Sequence, residues 1–188
     1  MQNFPLVSVI CLSHNHEAYV VEALNSVINQ NYPNIELLIA DDCSTDDSVS
    51  VIQNWLKDNP TIHFVSNQKN LGNTQTFNNL ARIAKGEYII DLAADDVLLE
   101  NCIAKQIETF QNSKYENLGI VYGNLIEIDK NGNFLNNYYK EEDQLIIPKF
   151  NFNIETNYDS LEGKKFSSQN ENYNIERAFQ RTAFKLDE

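Results

Sequence analysis

The sequence predicts an α/β protein: an open, mostly parallel sheet flanked by helices, with a small antiparallel and irregular C-terminal part. Three observations carry that expectation. Apolar runs of strand length alternate with stretches of helical period over the first 110 residues, the pattern of a parallel sheet with crossover helices. Acidic pairs follow two of the predicted strands, Asp41-Asp42 at once and Asp95-Asp96 after two small residues, Ala93-Ala94. Beyond residue 118 the alternation gives way to a long apolar stretch, a hairpin signal and an end rich in Asn, Tyr and Glu. The predicted organisation is a core over residues 1–135 and an irregular segment over 136–188.

Val7-Ser8-Val9-Ile10-Cys11-Leu12 is a short apolar run that reads as a buried strand. Residues 17–30 place Val20, Leu24 and Val27, with Val21 and Ile28, on one helical stripe. Pro33 and Asn34 punctuate before a second strand over 35–40. Ser44-Thr45-Asp46-Asp47 reads as a capping box, a serine N-cap with a carboxylate at the third helical position. The helix it opens turns Val49, Ile52 and Leu56 inward and stops at Asn59-Pro60. Residues 62–65 form a third strand. A polar loop leads to a helix over about 74–85, with Gly86 as its C-cap signal. Residues 88–92 form a fourth strand, followed by a helix near 97–111 carrying Ile103, Ile107 and Phe110. Residues 119–128 read as one long strand, 129–133 as a hairpin turn, and 145–147 as a short strand.

The length of 188 residues suits one domain with a real core. Fourteen basic residues face 27 acidic ones, for a net charge of −13. No basic run is present, and phosphate-backbone binding needs clustered positive charge, so nucleic acid is excluded as a partner. The acidity is uneven: net −9 over residues 1–100 and −4 over 101–188. Cys11, Cys43 and Cys102 are widely spaced and odd in number, which argues against a disulfide framework or zinc site and fits a reducing compartment. No signal peptide opens the chain, and no apolar run approaches the roughly 20 residues that span a bilayer. The expected location is the cytoplasm, and peripheral association with the inner face of the membrane is compatible with it.

In an open α/β sheet, ligands bind outside the carboxyl ends of the strands. Asp41-Asp42 and Asp95-Asp96 fall at two such ends, and Ser13-His14-Asn15-His16 follows strand one. Carboxylates gathered on one edge repel unless a cation or hydrogen-bond donors compensate them. Hard divalent cations take one or two carboxylates plus substrate phosphates. Acidic residues at such junctions are also common helix caps, the favoured reading of Asp46 and Asp47. For Asp95-Asp96 the presence of a second cluster on the same edge favours a site. His14 and His16 lack a Cys or carboxylate at ligand spacing, so they read as loop histidines, and His63 as a packed strand residue. Tyr138, Tyr139, Phe150, Phe152 and Tyr158 could line a sugar pocket, with covering the sheet the favoured alternative. G-x-G-x-x-G after strand one, the P-loop and the G-x-S-x-G elbow are all absent. A phosphorelay receiver would want its acidic pair after strand one, where Ser13-His14-Asn15 stands.

Val7-Ser8-Val9-Ile10 through Asn15, Glu17 and Tyr19, Ser26-Val27, Gln30, Tyr32-Pro33-Asn34-Ile35-Glu36, Asp41-Asp42 and Ser44-Thr45-Asp46 open a series of motifs. Asn70-Leu71-Gly72, Asn78, Ala84-Lys85-Gly86-Glu87-Tyr88-Ile89 and Ala94-Asp95-Asp96 continue it in register. Together, over about residues 5–135, they resemble family 2 glycosyltransferases of the Rossmann-like GT-A fold. Their order and spacing, rather than any one motif, make the resemblance specific. It implies a nucleotide-diphosphate sugar donor, a divalent cation (Mn²⁺ or Mg²⁺) and inversion at the anomeric carbon.

By position, the resemblance puts Ser13, His14 and Asn15 beside the base and ribose. Asp42 accepts a hydrogen bond from the base, usually uracil. Asn70, Gly72 and Asn78 shape the nucleotide pocket. Asp95 and Asp96 match the end of the family's D-x-D element, where one carboxylate meets the ribose and the other holds the metal; Asp96 is the favoured metal ligand, with Asp95 second. Three departures stand out. Ala93 occupies the place of the first Asp of D-x-D in many members. Phe77 stands where an Arg is frequent. Arg181-Thr182-Ala183-Phe184-Lys185 resembles the Arg-led segment that precedes the acidic motif with the catalytic base, but only Asp187 and Glu188 follow, and both are weak candidates for that base.

The leading expectation is therefore the donor-binding portion of a metal-dependent inverting glycosyltransferase, with a UDP-linked donor and a saccharide or lipid-linked acceptor in surface polysaccharide synthesis. The alternative is a truncated or degenerate, non-catalytic nucleotide-sugar-binding module. A nucleotidyltransferase of related architecture is disfavoured, because no Gly-rich loop bearing Arg or Lys follows strand one.

Overall fold

The computed structural model describes residues 4–114, 118–123, 126–129, 132–137 and 182–185. All seven residues of the first strand, β1 (Val7–Ser13), are buried, as a central parallel strand covered on both faces requires. It lies between β2 (Ile35–Asp41) and β4 (Tyr88–Ala93), parallel to both. β3 (His63–Ser66) continues the parallel sheet beyond β2. Beyond β4 come β8 (Thr182–Lys185), antiparallel to it, and β5 (Ile120–Tyr122), in the order β3-β2-β1-β4-β8-β5. Register matters for function here. Ser13 sits beside Asp41, and Leu12 beside Ala93, so three strand ends meet at one edge.

Helices α1 (Val20–Ile28), α2 (Ser48–Trp55), α3 (Asn73–Ala81) and α4 (Cys102–Gln111) provide the two covering layers. Because side chains alternate across a strand, the sheet has two apolar faces. One packs Val7, Val9, Ile39, Ile90 and Leu92 against residues of α1, α2 and α4, including Leu24, Ile52 and Ile103. The other packs Ile10, Leu12, Leu38, Ala40 and Ile89 against Phe77 and Leu80 of α3. Each fully buried aliphatic side chain contributes about 1.5–3 kcal/mol relative to exposure. Phe77, where the resemblance expects an Arg, is thus a core residue.

Several local expectations are corrected. Val20, Leu24 and Val27 are buried, but Val21 and Ile28 are 36% and 47% exposed; the contact stripe of α1 is narrower than the run of apolar residues. In α2, Ile52 and Trp55 carry the burial while Val49 and Leu56 are half-buried. No capping box forms at Ser44, whose amide and hydroxyl both bond the Asp41 carboxylate. Instead α2 starts four residues later, and Asp46 accepts the Ser48 amide at 3.0 Å. His63 is exposed because β3 is an edge strand of the sheet.

Gly86 does not cap α3, which ends at Ala81. Its requirement is space. A Cβ there would lie 2.5 Å from the Ser8 nitrogen and 2.8 Å from the Tyr88 carbonyl oxygen. Its amide donates to Ser8 Oγ at 2.8 Å and to Glu36 Oε1 at 3.1 Å. Ser8 Oγ in turn donates to the same Glu36 carboxylate, so one acid ties the start of β4 to β1 and β2.

The predicted long strand is two. β5 belongs to the main sheet, whereas β6 (Ile126–Ile128) pairs antiparallel with β7 (Phe134–Asn137) in a separate sheet. The hairpin between them forms as expected: the Asp129 amide donates to the Asn133 carbonyl at 2.9 Å, and Gly132 takes φ 81°. β8 comes from the segment expected to be irregular. Residues 145–147 lie outside the described residues, as do Tyr138, Tyr139, Phe150, Phe152, Tyr158 and Arg181. Among the described residues no helix is long and apolar enough to cross a membrane.

Candidate functional site

The edge where the four parallel strands end is built from the four loops that follow them. The loops after β1 and β2 are laced together. Asn15 donates its amide to Ser44 Oγ at 2.8 Å, and its Oδ1 accepts the Thr45 amide at 2.8 Å. The Glu17 amide reaches Asp46 Oδ2 at 3.1 Å, and Glu17 Oε2 accepts the Asp47 amide at 2.7 Å. Two residues in this lacing hold left-handed backbone, Asn15 at φ 61° and Cys43 at φ 63°. Asn tolerates that region; a cysteine there costs roughly 1–2 kcal/mol, which the surrounding hydrogen bonds must offset.

Asp42 organises the third loop. Its Oδ1 accepts Asn67 Nδ2 at 2.8 Å and the Leu71 amide at 2.9 Å, while Oδ2 accepts the Gly72 amide at 2.8 Å. Burial works to raise its carboxyl, but these donors and the Thr76 hydroxyl outweigh it and hold the group below the ordinary carboxylate range. Gly72, at φ 82°, is where the chain turns into α3. Oδ1 thus carries two of these donors and Oδ2 one, with the Thr76 hydroxyl a fourth donor to the carboxyl.

His14 stands over this acid. Its Nδ1 lies 2.9 Å from the Asp42 carbonyl oxygen, and its Nε2 lies 3.4 Å from Asn15 Nδ2 and 3.5 Å from Asn70 Nδ2. A carbonyl only accepts, so Nδ1 carries the proton and Nε2 is the acceptor. The exposed imidazole is thereby held from both ring nitrogens. Ser13 Oγ, at the end of β1, is buried and has no hydrogen-bond partner.

The acidic pair after β4 completes the edge. The Ala94 amide donates to the Leu12 carbonyl at 2.9 Å, extending the ladder by one residue, and the chain then turns with Asp96 N donating to Ala93 O at 3.0 Å. Asp95 is exposed and Asp96 half-buried. His16 Nε2 lies 3.8 Å from Asp95 Oδ2. Behind the pair, Ser26 of α1 and Gln30 just past its end grip the segment that follows. Ser26 Oγ accepts the Leu98 amide at 3.0 Å, and Gln30 donates to the Leu99 carbonyl at 2.8 Å and accepts the Ile103 amide at 3.1 Å.

Of the sequence-predicted site residues, Ser13 at the end of β1 and His14, Asn15, Asp42, Asn70, Gly72, Asp95 and Asp96 in the following loops lie at this edge. Asn78 lies nearly two turns into α3 from Gly72, half-buried, and its side chain has no part in the Asp42 network. Asp187 and Glu188 lie outside the described residues. Two residues went unremarked in the sequence. Asn67, the polar residue just past β3, is the side chain that anchors Asp42. Asp91, a charge inside an apolar strand, is buried and shares its sheet face with Ala93. Burial, then the charge of Asp96, pushes its carboxyl up to about 7. The Cys11 thiol is pushed up as well, by burial and then by Asp91, Asp95 and Asp96. Burial is the larger cause of both shifts, and the neighbouring carboxylates add to it.

Among the described residues no three His, Cys, Asp or Glu side chains converge into a metal cage. The available donor set is an adjacent carboxylate pair on an open edge. That suits a hard cation which takes its remaining ligands from water and phosphate, and it does not suit a fully protein-ligated metal.

The family described as Glycosyl transferase family 2 matches residues 8–180. The chondroitin synthase of Escherichia coli is 33% identical over 139 residues, covering 74% of this chain and 20% of that protein. The GalNAc(5)-diNAcBac-PP-undecaprenol beta-1,3-glucosyltransferase of Campylobacter jejuni is 34% identical over 130 residues, covering 69% of this chain and 40% of that protein. Among solved structures, S. aureus TarS 1-349 in complex with UDP aligns with TM-score 0.51 at 25% identity, over 56% of this chain and 32% of that one. The mannosyltransferase PcManGT of Pyrobaculum calidifontis, in complex with GDP-Man and Mn²⁺, aligns with TM-score 0.57 at 23% identity, over 63% of this chain and 35% of that one. The chain thus spans less than half the length of each of these proteins.

Proposed function

The chain belongs to glycosyl transferase family 2, and from that premise we propose that it binds a UDP-linked sugar at the β1-β2-β4 edge, with Mn²⁺ or Mg²⁺. The reaction is transfer of the sugar, with inversion, to a saccharide or lipid-linked acceptor in surface polysaccharide synthesis. The work is done in the cytoplasm, at the inner face of the membrane when the acceptor is lipid-linked. The observation that carries this reading is the convergence of Asp42, with its loop already organised, and the Asp95-Asp96 pair on one sheet edge.

Each residue then has a task its chemistry suits. Asp42 accepts an N–H of the base. The exposed His14 ring, with Asn15 and Asn70 holding it, offers a flat surface beside that base. Asp95 accepts from the ribose hydroxyls, and Asp96, with Asp95 second, holds the cation. A cation held there would supply Lewis-acid neutralisation of charge on the departing diphosphate. The acceptor hydroxyl must lose a proton to a general base within hydrogen-bond reach. A second reading, a nucleotide-sugar-binding module without catalysis, is favoured by one observation: Ala93 contributes no carboxylate to the edge.

Calorimetric titration with UDP, with and without Mn²⁺ or Mg²⁺, tests the site. Binding should require the metal and be lost in Asp96→Ala. Equal binding by the variant, or none by the parent, would overturn the assignment.

A further inference from the structure

His16 sits outside the set of residues assigned to donor binding, yet its backbone is among the most firmly held of the edge. Its amide donates to Ser48 Oγ at 2.9 Å, at the start of α2. Its carbonyl accepts the Tyr19 and Val20 amides, both at 3.0 Å, where α1 begins. The ring therefore projects from a point fixed by two helices. It crosses from the β1–α1 loop to the β4–α4 loop, placing Nε2 3.8 Å from Asp95 Oδ2. Nδ1 is buried and has no hydrogen-bond partner. A carboxylate only accepts, so the tautomer that suits this surrounding carries its proton on Nε2, toward Asp95, and leaves Nδ1 bare.

The other end of the contact is less constrained. The Asp95 side chain is 51% exposed, against 25% for His16, and 3.8 Å exceeds hydrogen-bond length. A small rotation of Asp95 would close the gap, as loose contacts at unliganded sites commonly tighten on binding. The two adjacent acids also share one chemistry, and nothing in their sequence alone distinguishes their tasks. A fixed donor beside one of them does.

We propose that His16 is a positioning residue that fixes Asp95 through Oδ2, reserving its other oxygen for the ribose and narrowing the cation's protein ligands from the Asp95-Asp96 pair to Asp96. This rests on the donor-site reading above. Held by His16, Asp95 pays less ordering entropy when nucleotide arrives, an effect of about three- to tenfold in affinity.

The test is calorimetric titration of the 188-residue chain with UDP at saturating Mn²⁺, with Mn²⁺ affinity measured separately. His16→Phe keeps ring volume and removes the donor, and should weaken UDP about three- to tenfold with Mn²⁺ affinity unchanged. His16→Gln keeps a donor of similar reach and should recover most of the loss. Should the Phe variant fold poorly, His16→Asn, too short to reach Asp95, should show the same weakening. Combined with Asp95→Asn, His16→Phe should cause no further loss, since the two act through one contact. Parent-like UDP binding by the Phe or Asn variant, or a double variant losing the product of both single effects, overturns the proposal. If Asp96→Ala still abolishes binding in that case, the donor site stands and only the His16 role falls. A parent that binds no UDP overturns both.

Discussion

The amide of Gly72 donates to Asp42 Oδ2 at 2.8 Å across a separation of 30 positions, joining the turn into α3 to the end of β2. With the Leu71 amide and Asn67 on Oδ1, this makes Asp42 the post around which the third loop of the edge is wound. Its place in the candidate site is therefore inseparable from its place in the fold.

Removing that post should cost stability as well as binding. Asp42→Ala removes an acceptor shared by Asn67, Leu71 and Gly72, of which Asn67 keeps Thr76 Oγ1 and Gly72 keeps Asn70 Oδ1, and should destabilise the chain by about 1–3 kcal/mol, read as a lower urea midpoint. The pH dependence follows from the depressed carboxyl. Its folded-state value lies below the ordinary 3.8, so the stabilisation is fully present above that value and is lost as pH falls through the folded one. Asp42→Asn should flatten this acid limb of the stability profile. An unchanged acid limb would show that the carboxylate contributes nothing there.

Asp91 should behave in the opposite sense. Its carboxyl is raised from 3.8 to about 7 by burial and by Asp96, so the folded state holds a proton that the unfolded chain has released. Its contribution to stability is fully present below the unfolded value and declines as pH rises to the folded one. Asp91→Asn, neutral at every pH, should be more stable than the parent at pH 8, by on the order of 2 kcal/mol, with the difference shrinking toward pH 4. Thermal unfolding at the two pH values decides it; a pH-independent difference would sink the idea.

The close approach at Gly86 predicts a purely structural failure. In Gly86→Ala the new Cβ meets the Ser8 nitrogen and the Tyr88 carbonyl, which cannot swing aside as a side chain would. The cost should be about 1–3 kcal/mol, with the urea m-value unchanged. UDP affinity of the folded fraction should match the parent, because this contact lies at the end of the sheet opposite the site.

The cysteines offer a local probe. Cys11 is fully buried with its thiol pushed up, so it should resist thiol reagents in the native state. Cys43, half-exposed and directly after Asp42, should react. UDP with Mn²⁺ should slow Cys43 labelling about tenfold at roughly ten times the dissociation constant and leave Cys102 unchanged. Equal rates at Cys43 with and without nucleotide would place the ligand elsewhere.

Periodicity and turn chemistry alone made the four parallel strands, the four helices and the hairpin at 129–133 legible, because each is written in spacing between near neighbours. The clustering of Asp42 with Asp95 and Asp96 followed from a topological rule, that strand ends of a parallel sheet share an edge. Ser44 has the spacing of a helix cap and is not one for the complementary reason: the Asp41 carboxylate takes both its amide and its hydroxyl. The requirement at Gly86 was equally hidden, since the clash comes from Ser8, 78 positions away.

The order of elements and the residue types delivered to the carboxyl edge are written in spacing along the chain. How those residues divide their work is set by the fold: Asp42 fastened by Asn67, Leu71 and Gly72, Asp91 driven toward its neutral form, Asp95 facing His16. The reason is that hydrogen-bond partners and burial set what a carboxylate can do, and both are supplied by chain segments far apart in sequence.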